Sequence, residues 1–261
     1  MFGVRSILWA ATAFVAMPVA ASDKDGFLEE FAGLDRDRWF VSDGWVNGPH
    51  QNCLWSAEAV EIRDGVLRLL VEKATDDGPE DYLCAEIQSE DRFGFGVFEA
   101  RVQVPFATGT NSNFFTFIGA PQNQPHDEID FEFIARTEPV LQTNTYVDGQ
   151  GGNEALIPMP DDGEWRDLAF VWEPDRVRWY VDGALIRTLE GDKVPSGAQK
   201  MYLSIWTTDV LIDWMGRFEW TGPLALQVDR VAYTPLGAGC LFDTSILCSD
   251  AFGADAPGLD D

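Results

Sequence analysis

The segment His126-Asp127-Glu128-Ile129-Asp130-Phe131-Glu132-Phe133-Ile134 is where this sequence could do chemistry. Acidic and apolar residues alternate, and period-two alternation marks a strand with two unlike faces. Ile129, Phe131 and Phe133 would then enter a core, while Glu128, Asp130 and Glu132 would stand in a row on the other face. A solvated acidic face would explain the alternation. Like charges stacked on one face repel, however, and Asp is a poor strand former. Metal binding is a second reading, since carboxylates suit calcium or magnesium. Yet a straight strand spaces alternate side chains by about 6.6 Å, and ions gather ligands from loops that can wrap them. Glycoside hydrolysis fits best. A retaining glycosidase needs a nucleophile and an acid/base with carboxyls about 5–5.5 Å apart. On a flat strand the Cα atoms of Glu128 and Glu132 stand about 13 Å apart, a gap that long side chains leaning together on a concave sheet would narrow. Asp130 between them can share a proton with the nucleophile. Mutual repulsion would keep one carboxyl protonated near neutral pH, as the acid role requires.

Sugar rings stack on Trp and Tyr faces while the polar ring edges bond hydroxyls. Trp172 and Trp179 lie in alternating strands and are expected in the core. Trp45, Trp206 and Trp214 stand beside polar, turn-like text (Ser42-Asp43-Gly44, Thr207-Thr208-Asp209, Asp213), so cleft and core are equal alternatives for each.

The elements that must position these residues are strands. Gly96 to Val104 alternates, with Val97, Glu99, Arg101 and Gln103 opposed to Phe98, Ala100, Val102 and Val104. Asp64-Gly65 and Asp182-Gly183 each lie between two apolar-alternating runs, which predicts hairpins, and Glu173-Pro174-Asp175 separates two more. From about Phe27 to Pro235 there is almost no helical period. Strands recur at about the 8–12-residue spacing of an all-β sandwich.

The 261 residues suffice for one such domain. Arg5, the apolar run Ile7–Val19 and the small residues Val19-Ala20-Ala21 predict a secretory signal peptide over 1–21. The catalytic domain would run over 22–235, followed at 236–261 by a small Cys loop and an acidic tail expected to be disordered. A net charge of −26 excludes nucleic acid and an anionic bilayer as partners. It suits a soluble protein in an external medium, expected as a monomer acting on a polysaccharide. His50 and His126 are the only histidines, and no Cys-x-x-Cys spacing occurs, so zinc lacks ligands. Four cysteines fit an exported protein with two disulfides. Three connectivities are possible, and proximity in sequence favours Cys53 with Cys84 and Cys240 with Cys248. The second closes a short loop and is expected to matter little to the core.

The triplet Glu128-Ile129-Asp130-Phe131-Glu132 resembles the signature of family 16 glycoside hydrolases, in the form without a β-bulge found in bacterial lichenases. Ser42-Asp43-Gly44-Trp45-Val46-Asn47-Gly48, Asn52-Cys53-Leu54-Trp55, Cys84-Ala85-Glu86, Phe93-Gly94-Phe95-Gly96, Phe114-Phe115-Thr116-Phe117, Trp179-Tyr180-Val181-Asp182-Gly183 and Asp213-Trp214-Met215-Gly216 look like lichenase segments in the same order. The resemblance implies a curved antiparallel β-sandwich, the concanavalin A-like jelly roll, with a substrate groove on its concave face. It implies Glu128 as nucleophile, Asp130 as helper and Glu132 as acid/base, with no catalytic cofactor. The groove positions that carry over are Trp45, Asn47, Glu86, Phe115, Phe117, Asn144, Tyr146, Trp206 and Trp214. The lichenase disulfide falls on Cys53 and Cys84. A structural calcium ion would be held on the convex face at Glu30, Gly65 and Asp229, through two backbone carbonyls and the Asp carboxylate; the alternative is that Asp229 is a solvated or salt-bridged strand residue, with Arg230 beside it.

Two departures are His126, a groove position where lichenases carry Trp, and Gln51, where they carry an aromatic. Both imply altered subsites. Phe40-Val41-Ser42-Asp43-Gly44-Trp45, His50-Gln51-Asn52-Cys53, Pro125-His126-Asp127-Glu128, Gln227-Val228-Asp229-Arg230-Val231 and the extra pair Cys240 and Cys248 look like the rhizobial glycanases that cut succinoglycan. The expected activity is therefore endo-hydrolysis of β-1,3-1,4-type linkages in such an exopolysaccharide or in mixed-linkage β-glucan. One tension is that a chain of charge −26 is repelled by an acidic polymer at low salt. A laminarin-type β-1,3-glucanase is disfavoured by the absent bulge residue, and a non-catalytic sugar-binding protein by the retention of all three carboxylates.

Overall fold

A computed structural model describes residues 25–75, 78–249 and 252. The predicted signal peptide, and the acidic tail apart from Ser249 and Phe252, lie outside the described residues. The expected all-β sandwich forms. One layer orders its strands Ala155–Pro158, Pro139–Tyr146, Asp127–Ala135, Thr110–Ile118, Lys200–Thr207 and Tyr82–Ser89. The chain of pairings then passes into Val66–Lys73, Leu224–Pro235, Gly96–Gln103, Trp165–Trp172, Arg176–Val181 and Ala184–Glu190, which make the second layer. Pairing is antiparallel throughout except where Leu54–Trp55 joins Tyr82–Ser89. The predicted hairpins are present, and both Asp-Gly turns place both residues at positive φ: 55° and 79° at Asp64 and Gly65, 49° and 76° at Asp182 and Gly183. That backbone twist matches the twist of the flanking strands, and Asp and Gly tolerate it.

The core lies between the layers. Phe114 and Phe131 from the first meet Phe170 of the second at ring-centroid distances of 5.8 and 6.2 Å. Trp172 and Trp179 are fully buried, as expected. The disulfide Cys53–Cys84 ties the segment before Leu54 to the first layer, across a sequence separation of 31.

The disulfide Cys240–Cys248 also forms, and the segment it closes packs on the sheet outside the main core. The loop sits on the outer face of the second layer. There Ile246, Leu247 and Phe252 pack with Val97, Ala169, Val171 and Tyr180 in a second, smaller apolar cluster. Val97 and Glu99, on the face of their strand opposite Phe98 and Ala100, are buried beneath it. The Glu99 carboxylate accepts from Ser245 Oγ at 2.8 Å and from the Ile246 amide at 2.7 Å. Burial holds the Glu99 carboxyl above its ordinary pKa, partly offset by those two bonds. Phe252, read from sequence as part of a disordered tail, gives its carbonyl to Arg178 Nη1 at 2.7 Å.

Candidate active site

The strand Asp127–Ala135 lies between Thr110–Ile118 and Pro139–Tyr146, and its register to both runs without a shift. This is the unbulged geometry expected from the triplet. Ile129 and Phe131 are fully buried and Phe133 nearly so. Directly opposed residues on neighbouring strands share a face, so the register extends each carboxylate into a row. Glu128 lies between Tyr146 and Phe117. Asp130 lies between Asn144 and Phe115, and the row continues through Tyr202 to Gln88. Glu132 lies between Gln142 and Asn113, continuing through Ser204 to Glu86. Asn111 and Trp206 form a fourth row.

These rows floor a cavity of about 490 Å³, within the range of ligand sites. Trp45, Asn47, Glu86, Phe115, Phe117 and Trp206 line it beside Glu128 and Glu132, as expected. The other four expected groove residues stand around the triplet. Asn144 is its row neighbour, with Oδ1 left without a partner. Trp214 donates its Nε1–H to Gln142 Oε1 at 2.9 Å, and so reaches Glu132 through Gln142. His126 and Tyr146 stack at 4.6 Å beyond Glu128. Gln51, read as a possible subsite change, turns away from the groove. It is buried, takes the Asn47 amide on its side-chain oxygen at 3.1 Å and donates to the Cys53 carbonyl at 2.8 Å. It holds the loop that presents Asn47, whose Oδ1 accepts from Trp55 Nε1 at 3.2 Å.

The three carboxyls differ in environment. His126 Nε2 is 2.6 Å from Glu128 Oε2. Asp130 is almost wholly buried. Burial raises its pKa well above the carboxylate range, and the charges of Glu128 and Glu132 raise it further, as does a hydrogen bond with Glu128. Both effects favour the protonated form of Asp130 beside Glu128. Burial pushes Glu132 up to about 7, with the Glu128 charge acting in the same direction. Hydrogen bonds from Asn111 Nδ2 to Oε1 at 2.9 Å and from Gln142 Nε2 to Oε2 oppose that rise. Glu86, also pushed up to about 7 by burial, accepts from Ser42 Oγ at 2.5 Å. The arrangement sets a carboxyl whose pKa is raised well above the usual range between two others, one of them pushed up to about 7.

Asn111, Asn113, Gln142, Tyr202 and Ser204 were not singled out from sequence. A signal was available for all of them, since Tyr202 and Ser204 sit four and two residues before Trp206 on one strand. Asn111 and Asn113 sit four and two residues before Phe115, and Gln142 two before Asn144, so each shares the face of a residue already chosen.

At the expected calcium position the Asp229 carboxylate is ion-paired. Asp229 stands at a register shift between Val228 and Arg230. Its Oδ2 is 3.1 Å from Arg230 Nη1 and 3.8 Å from Arg101 Nε. A divalent cation there would face two guanidinium groups. The salt-bridged alternative is the arrangement found. Among the described residues, no cluster of three or more His, Cys, Asp or Glu side chains is placed to hold a metal.

Comparison with known proteins agrees with this geometry. The model of glycosyl hydrolases family 16 matches residues 47–222. The chain is 46% identical over 225 residues to the endo-1,3-1,4-beta-glycanase ExoK of Rhizobium meliloti (strain 1021), covering 85% of this chain and 83% of that protein. It is 34% identical over 211 residues to a beta-glucanase of Paenibacillus macerans, covering 80% and 87%. Among solved structures, a prokaryotic beta-1,3-1,4-glucanase (lichenase) derived from a mouse hindgut metagenome superposes with a TM-score of 0.77 at 32% identity, covering 82% of this chain and all of that one.

Proposed function

The chain belongs to glycosyl hydrolase family 16, and from that premise we propose that it is a retaining endo-β-glycanase in which Glu128 attacks, Asp130 assists and Glu132 is the acid/base. The observation that carries this reading is the row of three carboxyls beside one cavity, where burial raises the pKa of Asp130 well above the carboxylate range and that of Glu132 to about 7. In the first half-reaction a Glu128 oxygen bonds to the anomeric carbon as the glycosidic bond breaks, and the Glu132 proton passes to the leaving oxygen. In the second, Glu132 takes a proton from water, the water oxygen adds to the same carbon, and Glu128 departs as carboxylate. Family 16 glycosidases need no cofactor for these steps.

The substrate is a β-1,3-1,4-linked polysaccharide, such as mixed-linkage β-glucan or an exopolysaccharide of the succinoglycan type. None of the residues lining the cavity is Lys or Arg, while Glu86, Glu128 and Glu132 all line it. Such a groove accepts an uncharged stretch of backbone and repels anionic substituents, which must lie outside it. Among the described residues no helix is long and apolar enough to cross a membrane. The reading includes secretion as a monomer after removal of residues 1–21.

The test is Glu128→Gln and Glu132→Gln on soluble β-1,3-1,4-glucan. Each should lower kcat by at least about 10³-fold while oligosaccharide binding survives. The first product, followed by NMR, should keep the β configuration. An inverted product, or a Glu128→Gln variant with near-normal turnover, would overturn the assignment.

A further inference from the structure

One contact at the site has no part in the chemistry above. His126 ends the loop leading into the carboxylate strand, and its backbone is fixed by the Gly149 amide donating to its carbonyl at 2.8 Å. Its ring is fixed on two sides, stacked on Tyr146 at 4.6 Å and 16° and packed against Phe117 at 5.2 Å. That leaves Nε2 at 2.6 Å from Glu128 Oε2, the length of a charge-assisted bond. An ionised Glu128 can only accept, so Nε2 must carry the hydrogen.

The inference rests on the reading of Glu128 as nucleophile. We propose that His126 is the positioning residue of that nucleophile, its Nε2–H holding Oε2 of Glu128 through the whole cycle. The other Glu128 oxygen is then free to bond to the anomeric carbon as the glycosidic bond breaks and Glu132 protonates the leaving oxygen. When water replaces Glu128 at that carbon and gives its proton to Glu132, the electron pair of the broken ester bond returns to the Glu128 carboxylate. The donor that steadies that returning charge is already in place.

The electrostatic surroundings agree. The hydrogen bond to Glu128 holds the His126 pKa above its usual value; partial burial opposes this, and the charges of Glu128 and Asp127 add to it. Asp127 is otherwise engaged, its Oδ1 accepting the Asp148 amide at 3.0 Å. From the flanking strands the ring meets only Phe117 and the phenol of Tyr146, which burial and nearby carboxylates push up to about 12 and so keep neutral. Behind Glu128 stands Asp130, whose pKa burial and the neighbouring carboxylates raise well above the usual range.

The chain's two histidines make the test direct, because imidazole NMR of the full chain shows one signal from His126 and one from His50. In Glu128→Gln the His126 midpoint should fall by about 1 unit or more, with that of His50 moving far less. Kinetically, His126→Phe keeps the ring stack and removes the donor. It should lower kcat about tenfold or more with KM nearly unchanged. His126→Gln, a neutral donor, should recover part of that loss. In both variants the acid limb of kcat/KM should move to higher pH, since the cation that favours an ionised partner is gone. An unmoved His126 midpoint in Glu128→Gln overturns the proposal, and this holds even if a His126 variant fails to fold. So does a His126→Phe enzyme that changes KM alone, or that keeps its kcat and acid limb. Near-normal turnover in Glu128→Gln would instead sink the assignment of the site itself.

Discussion

Replacing Asn111 by Leu should extend activity to higher pH. Glu132 must be protonated to act as acid, so kcat/KM falls as pH rises through its pKa, which burial pushes up to about 7. The bond from Asn111 Nδ2 at 2.9 Å works against that rise by favouring the ionised carboxyl. A hydrogen bond to a charged group is worth about 1.5–3 kcal/mol, and the neutral acid would keep about half of it. The difference between the two protonation states is then about 0.75–1.5 kcal/mol, or about half to one pKa unit. Removing the donor should carry the alkaline limb up from about 7 by about half to one unit. The cost to folding is limited, because Asn111 is buried with its Oδ1 already unpartnered, and Leu is close to it in size. The assay is kcat/KM on soluble β-1,3-1,4-glucan across the neutral range, with the limb read as a property of the coupled triplet. A limb that stays in place or moves down would refute the claim that Glu132 is the acid whose titration ends activity.

Three further outcomes follow from the scaffold. Replacing Cys53 and Cys84 together by Ala should cost about 3–4 kcal/mol in urea unfolding, from the entropy returned to an unfolded chain no longer closed across that loop; a loss below about 1 kcal/mol would show that the bridge is not what restrains it. The Glu99 carboxyl has its folded pKa raised above 4.5, so it favours the folded state at low pH, and that contribution is lost as pH rises through the folded value. Glu99→Gln should therefore gain stability relative to the parent at pH 8 compared with pH 4, whereas an identical difference at both would refute the burial of that carboxyl under the Cys240–Cys248 loop. With the Asp229 carboxylate held by Arg230 and Arg101, the melting temperature should be the same in millimolar calcium and in chelator; a rise with calcium would restore the ion to the convex face.

What the sequence made legible was what period two carries. On Asp127–Ala135 one alternation decides both the core face and the carboxylate row, so the triplet and its strand could be read together. The two Asp-Gly turns were legible for a local reason, since few residue pairs accept positive φ twice in succession. Register between strands distant in sequence is not written in either signal. Nothing local says that Ser204 will stand between Asn113 and Glu86, so most of the groove floor had to come from resemblance or be missed.

The outer face shows the same limit from the other side. Val97 and Glu99 alternate with core residues as solvent-facing positions should, and by period alone they belong outside. They are buried because a segment about 150 residues later folds over them, bringing Ser245 and the Ile246 amide to a carboxylate that would otherwise be costly to bury. His126 belongs to the same class. As a residue type beside aromatic groove positions it reads as a sugar contact, and only the stack on Tyr146, a strand away, turns Nε2 toward Glu128. Alternation fixes which side of a sheet a residue faces; what meets it there is decided by tertiary pairings that no local pattern encodes.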